Sequence, residues 1–178
     1  MAVCEVIATQ TLTGDTATVT FSGIPATYRH LMLRMSVRST QNTAAGYDWI
    51  GLTYNASSGG TAYSTNTMSG YTTSTPAGDI EVGQAKTKLW AAADLDDAAE
   101  LFTPIAVDIW DYASGDKNQT TMGWGGTIDA SIGFNAFGGG VYDSVTAISQ
   151  ITLDPGAGDF VSGSEFTLYG LGDADPIL

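Results

Sequence analysis

Positively charged residues are scarce in this chain, and their scarcity excludes one large class of functions. Six Lys and Arg stand against 19 Asp and Glu in 178 residues, for a formal net charge of -13. Nucleic-acid binding needs many cationic side chains that displace phosphate counterions, so we expect no nucleic-acid partner. The acidity is typical of a solvated surface whose copies repel one another, with acidic metal binding as the lesser alternative.

Cysteine and histidine each occur once. Cys4 cannot form an intramolecular disulfide, and its position between Val3 and Val6 predicts that it packs as a small apolar residue. His30 is the one histidine, and no pattern places it near Cys4. A nucleophilic Cys–His site is therefore not expected.

Long apolar runs are also missing. No stretch approaches the roughly 20 apolar residues of a membrane-spanning helix, so we expect no membrane partner. Residues 1–10 (MAVCEVIATQ) lack both the basic region and the apolar run of a signal peptide, which predicts synthesis in a cytoplasm.

What the chain does contain is typical of a β-protein. It is 43% hydrophobic, only 14% charged and holds 22 glycines. Compositions of this kind, rich in small residues, are typical of β-sandwiches and barrels with many turns. The length suits one domain, residues 1–178, with a sizeable core.

The clearest strand signal runs from Tyr28 to Ser39 (YRHLMLRMSVRS). Successive side chains of a strand point to opposite faces, so this period-two pattern predicts a strand with one face in a core. The predicted core face carries Leu31, Leu33, Met35 and Val37, and the other face carries His30, Met32, Arg34, Ser36 and Arg38.

Further strands and frequent turn signals complete the fold prediction. The chain is expected to be an all-β, single-domain antiparallel β-sandwich, jelly-roll-like, with eight or nine strands. At most one short helix is expected, in Leu89–Leu101 with Asp94 as its cap, against an irregular connection as the alternative. The remaining strands are predicted at 3–9, 17–22, 47–54, 105–112, 119–124, 146–153 and 164–171, with a weak edge strand in 62–75 and a break at 76–83.

No catalytic, cofactor-binding or metal-binding residues are predicted. The sequence has no G-x-S-x-G elbow, Walker loop or Cys/His metal spacing. Asp108 and Asp111 lie three residues apart on a predicted strand, hence on opposite faces, which argues against an acid/base pair. The densest carboxylates favour a solvated acidic turn over the alternative of a surface calcium site, and they are Asp94, Asp96, Asp97 and Glu100.

The aromatic residues leave two interpretations open. Four tryptophans and eight tyrosines could line a sugar-binding face, or they could fill a core or a subunit interface, which we favour. The tryptophans are Trp49, Trp90, Trp110 and Trp124. The tripeptides at Asn55 and Asn118 match glycosylation sequons but indicate little more than exposed turns.

Several segments, taken in order, resemble a known group of proteins. They are IATQTL, VTFSGIPATYRHLMLRMSVRS, LTYNASSGGTAYS, VDIWDYAS followed by Lys117, YDSVTAISQITL and GDFVSGSEFTLYGL. This order resembles a group of tailed-bacteriophage virion proteins with an I-P-x-x-Y-x-x-L strand, an F-N-G-like turn and a closing G-S-x-F-x-L-Y-G strand. The sequence departs from that pattern at two places. Tyr142 occupies a position that is often Trp, and Asn55-Ala56-Ser57 occupies the position of N-G-x.

The resemblance implies a β-sandwich or jelly-roll module on the outside of a virion, with no catalytic residues. We therefore expect a capsid decoration protein, made in the host bacterial cytoplasm and located on the virion surface, that binds other virion proteins and forms a homo-oligomer such as a trimer. The alternative is a tail-fibre adhesin for host glycans. A glycan-active enzyme would need two carboxylates in one cleft, which we do not expect. The predicted interface residues are Arg34, Arg38 and Tyr169, with Met1–Gln10 as a docking arm and Gly172–Leu178 as a peripheral tail.

Overall fold

Every regular element in the described part of the chain is a β-strand. A computed structural model describes residues 4–42, 47–57, 60–71, 76–93, 99–128 and 133–173. The all-β prediction is confirmed, although twelve strands replace the expected eight or nine. They are β1 (Cys4–Thr11), β2 (Val19–Ser22), β3 (Tyr28–Val37), β4 (Tyr47–Tyr54), β5 (Tyr63–Tyr71), β6 (Ala77–Gln84), β7 (Thr87–Ala93), β8 (Thr103–Trp110), β9 (Gln119–Ile128), β10 (Gly133–Tyr142), β11 (Gln150–Pro155) and β12 (Glu165–Asp173).

The strands form two antiparallel sheets of unequal size. The large sheet has the order β1-β12-β3-β8-β9-β10-β5-β6, and the small sheet has the order β2-β11-β4-β7. Their inner faces share one apolar core, in which side chains of β3, β8 and β12 meet those of β2, β4 and β11. Strand β7 lies over β8, β9, β10 and β5. The arrangement is sandwich-like, as expected.

Strand β3 sits near the middle of the core, as its pattern predicts. Leu31, Leu33 and Val37 have no exposed surface, and Met35 is 5% exposed. The neighbouring strands present matching apolar residues in register, so that Leu33 lies opposite both Val107 of β8 and Leu168 of β12. Burying a side chain of this size stabilises a fold by about 1.5–3 kcal/mol. The packing of β3 against β8 and β12 therefore contributes a large part of the stability of the core.

The end of β8 departs from the predicted alternation. The sequence places Tyr112 on the same face as Trp110, away from the core, but Tyr112 is fully buried. Asp111 between them has a φ of 50°, in the left-handed region, and this residue ends the strand. The chain therefore turns there, and the Tyr112 hydroxyl donates a hydrogen bond to the carbonyl of Pro25.

Three strands were missed or misassigned from the sequence. Strand β6 occupies the predicted break at 76–83, and β10 occupies a glycine-rich stretch with few side chains to reveal a period. Strand β7 covers the first residues of the predicted helix Leu89–Leu101, where pairing with β4 overrides the helix propensity of Ala. Asp94, the proposed helix cap, lies outside the described residues.

The N-terminal strand predicted at 3–9 is present as the edge strand β1, which pairs with β12 along its length. A docking role for Met1–Gln10 stays a prediction. Cys4 was expected to pack as an apolar residue, but it is exposed, because β1 forms the margin of the large sheet. Strand β12 continues through Asp173, two residues into the predicted tail.

The turn after β4 holds two residues in the left-handed region, where the resembling proteins have Asn-Gly. Asn55 has a φ of 52° and Ala56 a φ of 55°. The Asn55 side chain fixes the turn, since its Oδ1 accepts hydrogen bonds from the backbone N–H of Ser149 at 2.8 Å and Gln150 at 3.3 Å. Ala56 has no such compensation, and its Cβ disfavours this conformation.

We predict that Ala56→Gly stabilises the protein by up to about 1–2 kcal/mol, because glycine adopts a positive φ without a steric penalty. Chemical denaturation would measure the change. Ala77→Gly is the matched control, since Ala77 lies in an exposed strand without a positive φ, and glycine there should destabilise by roughly 0.5–1 kcal/mol. A loss of stability in Ala56→Gly would contradict this account of the turn.

Close packing requires a glycine at a second position, Gly170. Tyr28 of β3 lies flat over Gly170 of β12, so that a Cβ at position 170 would overlap the ring. The Tyr28 hydroxyl donates a hydrogen bond of 2.8 Å to Glu5 Oε2 of β1, and the ring thereby spans three strands at one end of the sheet.

We predict that Gly170→Ala destabilises the protein by about 1–3 kcal/mol, because Tyr28 must leave its position to admit a methyl group. Gly78→Ala is the control, since a Cβ at position 78 meets its nearest neighbour at an ordinary 3.6 Å. Thermal unfolding of both variants tests the contact. Equal melting temperatures for the two would show that Tyr28 moves without cost.

Candidate functional site

The face of the large sheet that points away from the small sheet carries most of the exposed large apolar side chains of the described residues. We call it the outer face. Nine of the ten exposed large apolar side chains in the described residues lie on it, and only Val145 lies elsewhere. The nine are Val6, Met68, Ile80, Val82, Trp110, Met122, Trp124, Phe137 and Val141.

The centre of the outer face is a continuous row of side chains across five strands. Arg34, Ala106, Trp124, Phe137 and Met68 lie directly opposite one another in register from β3 to β5. Trp124 is 52% exposed and Phe137 is 46% exposed. Such a row presents large rings and thioethers to solvent, which monomeric soluble proteins rarely do over a wide area.

A groove of about 640 Å³ lies beside this row. Asn135 on β10 is flanked in register by Gly126 and Gly70, which place no side chain on the outer face, so the surface dips there. Trp124 and Phe137 also line the groove, and its surface is mostly apolar. The groove could receive a protruding apolar side chain of a partner.

Arg34 contacts an aromatic ring rather than an acid. Its guanidinium carbon lies 5.7 Å from the centroid of the Trp124 ring, within the range of a cation–π interaction. It also donates a hydrogen bond of 3.3 Å to the Leu33 carbonyl. The basic side chains of Arg34 and Arg38 are expected to pair with the protein's own acids, within a subunit or between neighbours, and these contacts of Arg34 inside the described part of the subunit do not support the first of these alternatives.

The other two predicted interface residues occupy different environments. Arg38 is only 5% exposed and donates a hydrogen bond of 2.6 Å to the Ala99 carbonyl, so it joins elements within the subunit. Tyr169 is half-buried on the outer face, opposite Val6 on β1 and Met32 on β3. The position of Tyr169 is compatible with an interface, whereas Arg38 has little surface to offer.

Two small pockets lie near Trp49. The first lies on the opposite side of the large sheet from the outer face, where β5 and β6 face β4 and β7, and we call it the Trp49 cleft. It has a volume of about 110 Å³ and is lined by Trp49, Thr65, Thr67, Asp79, Glu81 and Lys88. The second pocket has a volume of about 260 Å³ and is lined by Trp49, Lys88, Lys86, Gln41, Asp48, Gly51, Gly156 and Ala157.

Polar side chains line both pockets, and some in the Trp49 cleft are incompletely bonded. Lys86 Nζ lies 2.5 Å from Asp154 Oδ1, and Lys88 Nζ lies 3.5 Å from Glu81 Oε1. Within the described residues, Thr65 Oγ1 and Glu81 Oε2 are enclosed without a hydrogen-bond partner. Buried polar atoms are bonded in most native proteins, so these two atoms invite a functional explanation.

The sequence analysis missed the cleft because its acidic wall lies in the predicted break. Strand β6 reads Asp79-Ile80-Glu81-Val82, a period-two pattern that indicates a strand. Its alternation is inverted, with the acids facing the small sheet and the aliphatic residues facing outward. Asp79 and Glu81 therefore both line the Trp49 cleft, which the predicted break at 76–83 did not indicate.

A buried carboxylate, that of Asp48, lines the second pocket. Asp48 is 3% exposed, and burial raises its pKa above the usual range. Ser39 Oγ donates to its Oδ2 at 2.7 Å, and the Ala157 backbone N–H donates to the same oxygen at 3.1 Å. These bonds make Asp48 a structural link between the segments after β3 and β11.

The other sequence-predicted sites are separated or fall outside the described residues. Asp108 lies on the outer face opposite Met122, whereas Asp111 follows the end of β8, so they form no common site. Three of the proposed calcium ligands are outside the described residues, at 94, 96 and 97. The part of the chain that the structure describes contains no group of three or more potential metal-ligating side chains, and no helix suited to crossing a membrane.

The tryptophans divide between surface and interior. Trp110 and Trp124 are about half exposed, and Trp49 is partly buried in the cleft, while the side chain of Trp90 is outside the described residues. The sequence analysis favoured a core or interface role over a sugar-binding face. Exposure of two tryptophans excludes the core for those two and leaves both surface roles open.

His30 is held in its neutral form by geometry. Its Nδ1 accepts a hydrogen bond of 3.0 Å from the backbone N–H of Asp111, and its ring lies 4.7 Å from that of Trp110. Burial lowers the pKa of His30, although the nearby Asp111 carboxylate acts in the opposite direction. A proton on Nδ1 would remove the acceptor that fixes the strained φ of Asp111.

This geometry predicts a loss of stability in acid. The unfolded chain protonates His30 near pH 6.5 and the folded protein at a lower pH, so stability is present above about pH 6.5 and falls as the pH drops towards the folded pKa. His30→Asn, which retains an acceptor but does not titrate, should flatten this part of the pH profile of the melting temperature.

Lys117→Gln serves as the control for His30→Asn. Lys117 Nζ lies 3.5 Å from the Asp111 carboxylate, so the control removes a charge beside Asp111 and leaves His30 in place. In the control, the melting temperature should fall with pH as steeply as in the wild type between about pH 7 and 5. If the melting temperature of His30→Asn falls just as steeply, His30 is not the group that causes the loss of stability in acid.

Comparisons with known proteins add little to this geometry. The chain matches no protein-family model and no curated protein. A crystal structure of a protein of unknown function from Shewanella oneidensis MR-1 aligns with 12% identity and a TM-score of 0.25, over 94% of this chain and 75% of that chain. A likeness at this level carries no argument about fold or function.

Proposed function

We propose that this protein is a non-enzymatic virion structural protein that decorates a bacteriophage capsid as a homo-oligomer. The apolar outer face is the observation that carries the proposal. The order of sequence segments that resembles tailed-phage virion proteins supplies the biological setting, and the outer face supplies a surface through which copies associate.

The size of the outer face suits a stable interface. Eight strands spaced about 4.8 Å apart span roughly 34 Å, and eight to ten residues at about 3.3 Å each extend roughly 26–33 Å along the strands. The resulting area of roughly 900–1,100 Å² compares with the roughly 800 Å² that each partner contributes to a standard interface.

The composition of the face also suits association of identical chains. Cores of homo-oligomer interfaces are apolar, depleted in charge and enriched in aromatic residues, Met and Arg. Trp124, Phe137, Met122 and Arg34 form such a set near the centre of the sheet. Removing this surface from water offsets the repulsion expected between copies with a net charge of -13.

We predict that replacing Trp124 and Phe137 together with Glu disrupts the oligomer. Buried aromatic anchors at the centre of an interface often contribute at least about 2 kcal/mol each, so the variant should dissociate at concentrations where the wild type remains assembled. Light scattering coupled to size-exclusion chromatography measures the mass. The monomer should remain folded, because both side chains are about half exposed in the subunit.

Val145→Glu is the matched control, because Val145 is 47% exposed but lies off the outer face. It should assemble like the wild type. A wild-type protein that is monomeric at about 100 μM, or a double variant that assembles normally, would contradict assembly through this face.

The second candidate function is a tail-fibre adhesin that recognises host glycans. Exposed Trp110 and Trp124 favour it, since aromatic rings stack on the apolar faces of sugars. Electron microscopy of intact particles separates the two functions. Hundreds of copies on the head would support decoration, and a few copies at the tail would support adhesion.

A further inference from the structure

We propose that two copies of the chain pack outer face to outer face about a two-fold axis, with Arg34 of each copy paired to Asp108 of the other. The inference rests on the proposed function, since it needs association through the outer face, and it names the contact that sets the symmetry. A two-fold interface is self-complementary, so the contact from residue 34 to residue 108 forms twice. Such an oligomer contains an even number of copies, which distinguishes it from a trimer.

The outer face carries one charge of each sign near its centre. On strands β3, β8, β9, β10, β5 and β6, the described residues place two charged side chains on this face, Arg34 and Asp108. Both are partly exposed. Asp108 lies opposite Met32 of β3 and Met122 of β9, so its immediate cross-strand neighbours are apolar.

Neither charge belongs to an ion pair in the described part of the subunit. Arg34 lies opposite Ala106, which is two residues from Asp108 along β8. The arginine reaches across the small Ala106 to the Trp124 ring, whose centroid is 5.7 Å from its guanidinium carbon. Burying a charge without a partner of opposite sign is strongly unfavourable. A second surface that covers this face must therefore supply a partner for each charge.

A two-fold axis lying between two such faces supplies both partners. Neighbouring strands are about 4.8 Å apart and successive residues about 3.3 Å, so Arg34 and Asp108 are separated by roughly 8 Å in the plane of the sheet. An axis that crosses the midpoint of this line at right angles exchanges the two positions and places each arginine over the other copy's aspartate. In the same register the axis passes close to Trp124, so the two indoles meet at the centre of the interface.

The test mixes two variants that each fail to assemble alone. In Arg34→Glu both contacts join two acids, and in Asp108→Arg both contacts join two arginines. Each variant by itself should have a dissociation constant at least about tenfold above that of the wild type, because like charges face each other across the interface. Mixed in equal amounts, the two should reassemble. The introduced glutamate then meets the introduced arginine, and the native Arg34 of one variant meets the native Asp108 of the other.

Light scattering coupled to size-exclusion chromatography measures the mass of each sample, and thermal unfolding checks that each variant is folded. Both side chains are partly exposed, so the variants should persist as folded monomers. Lys117→Glu and Asp116→Arg are the matched controls. They make the same changes of charge at exposed positions between β8 and β9, off the outer face, and should assemble like the wild type.

Reassembly in the mixture alone would support the contact between copies. Pairing of Arg34 with Asp108 inside one subunit predicts no such rescue, because each variant would keep its own like-charged pair. Assembly of both single variants like the wild type would overturn the two-fold contact and leave the outer face as the proposed interface. Folded variants that do not reassemble when mixed would do the same.

The mass of the wild type is a second measure that needs no variant. An even number of subunits is expected, and a mass of three subunits would overturn the two-fold contact alone. A wild type that is monomeric at about 100 μM would instead overturn association through the outer face, and with it this part of the proposed function.

Discussion

The large sheet has eight strands and the small sheet has four, and the rest of the structure depends on this difference in size. The small sheet buries the inner side of β3, β8 and β12, and its edge strand β7 reaches over β8, β9, β10 and β5. The β5–β6 hairpin extends past the core that the small sheet covers, and the Trp49 cleft lies beneath this hairpin. The outer face lies on the other side of the large sheet, where no described strand packs.

The same kinds of aromatic side chain serve different purposes according to which side of the large sheet they occupy. Tyr63 and Tyr142 stack at 5.0 Å in the core, and the backbone N–H of Tyr54 donates to the Tyr63 hydroxyl at 2.8 Å. Burial raises the pKa of Tyr63 to about 12, so the core tyrosines remain neutral donors and acceptors. Trp124, one strand away on the other side, keeps half its surface in solvent.

The sequence predicts the strands that have one buried and one solvated face. Leu31, Leu33 and Met35 of β3, with Phe166 and Leu168 of β12, alternate in the chain as they do in the sheet. The sequence predicts strands β6 and β10 poorly. Strand β6 is an edge strand with its acids turned inward, and β10 contains three consecutive glycines whose pairing partners, rather than side chains, define the strand. Arg38 shows the same limit, because its polarity suggests exposure while its position at the end of β3 buries it.

The amino-acid sequence by itself determined the fold class, the antiparallel sandwich and the face of β3 that enters the core, because those depend on local alternation of apolar and polar residues. Only the tertiary structure decided which surfaces are left over. Trp124, Phe137 and Met68 become neighbours through the register of three strands, and Thr65 lies opposite Glu81 through a hairpin in place of the predicted break at 76–83. Contacts of this kind depend on strand order and sheet size, which are properties of the whole chain.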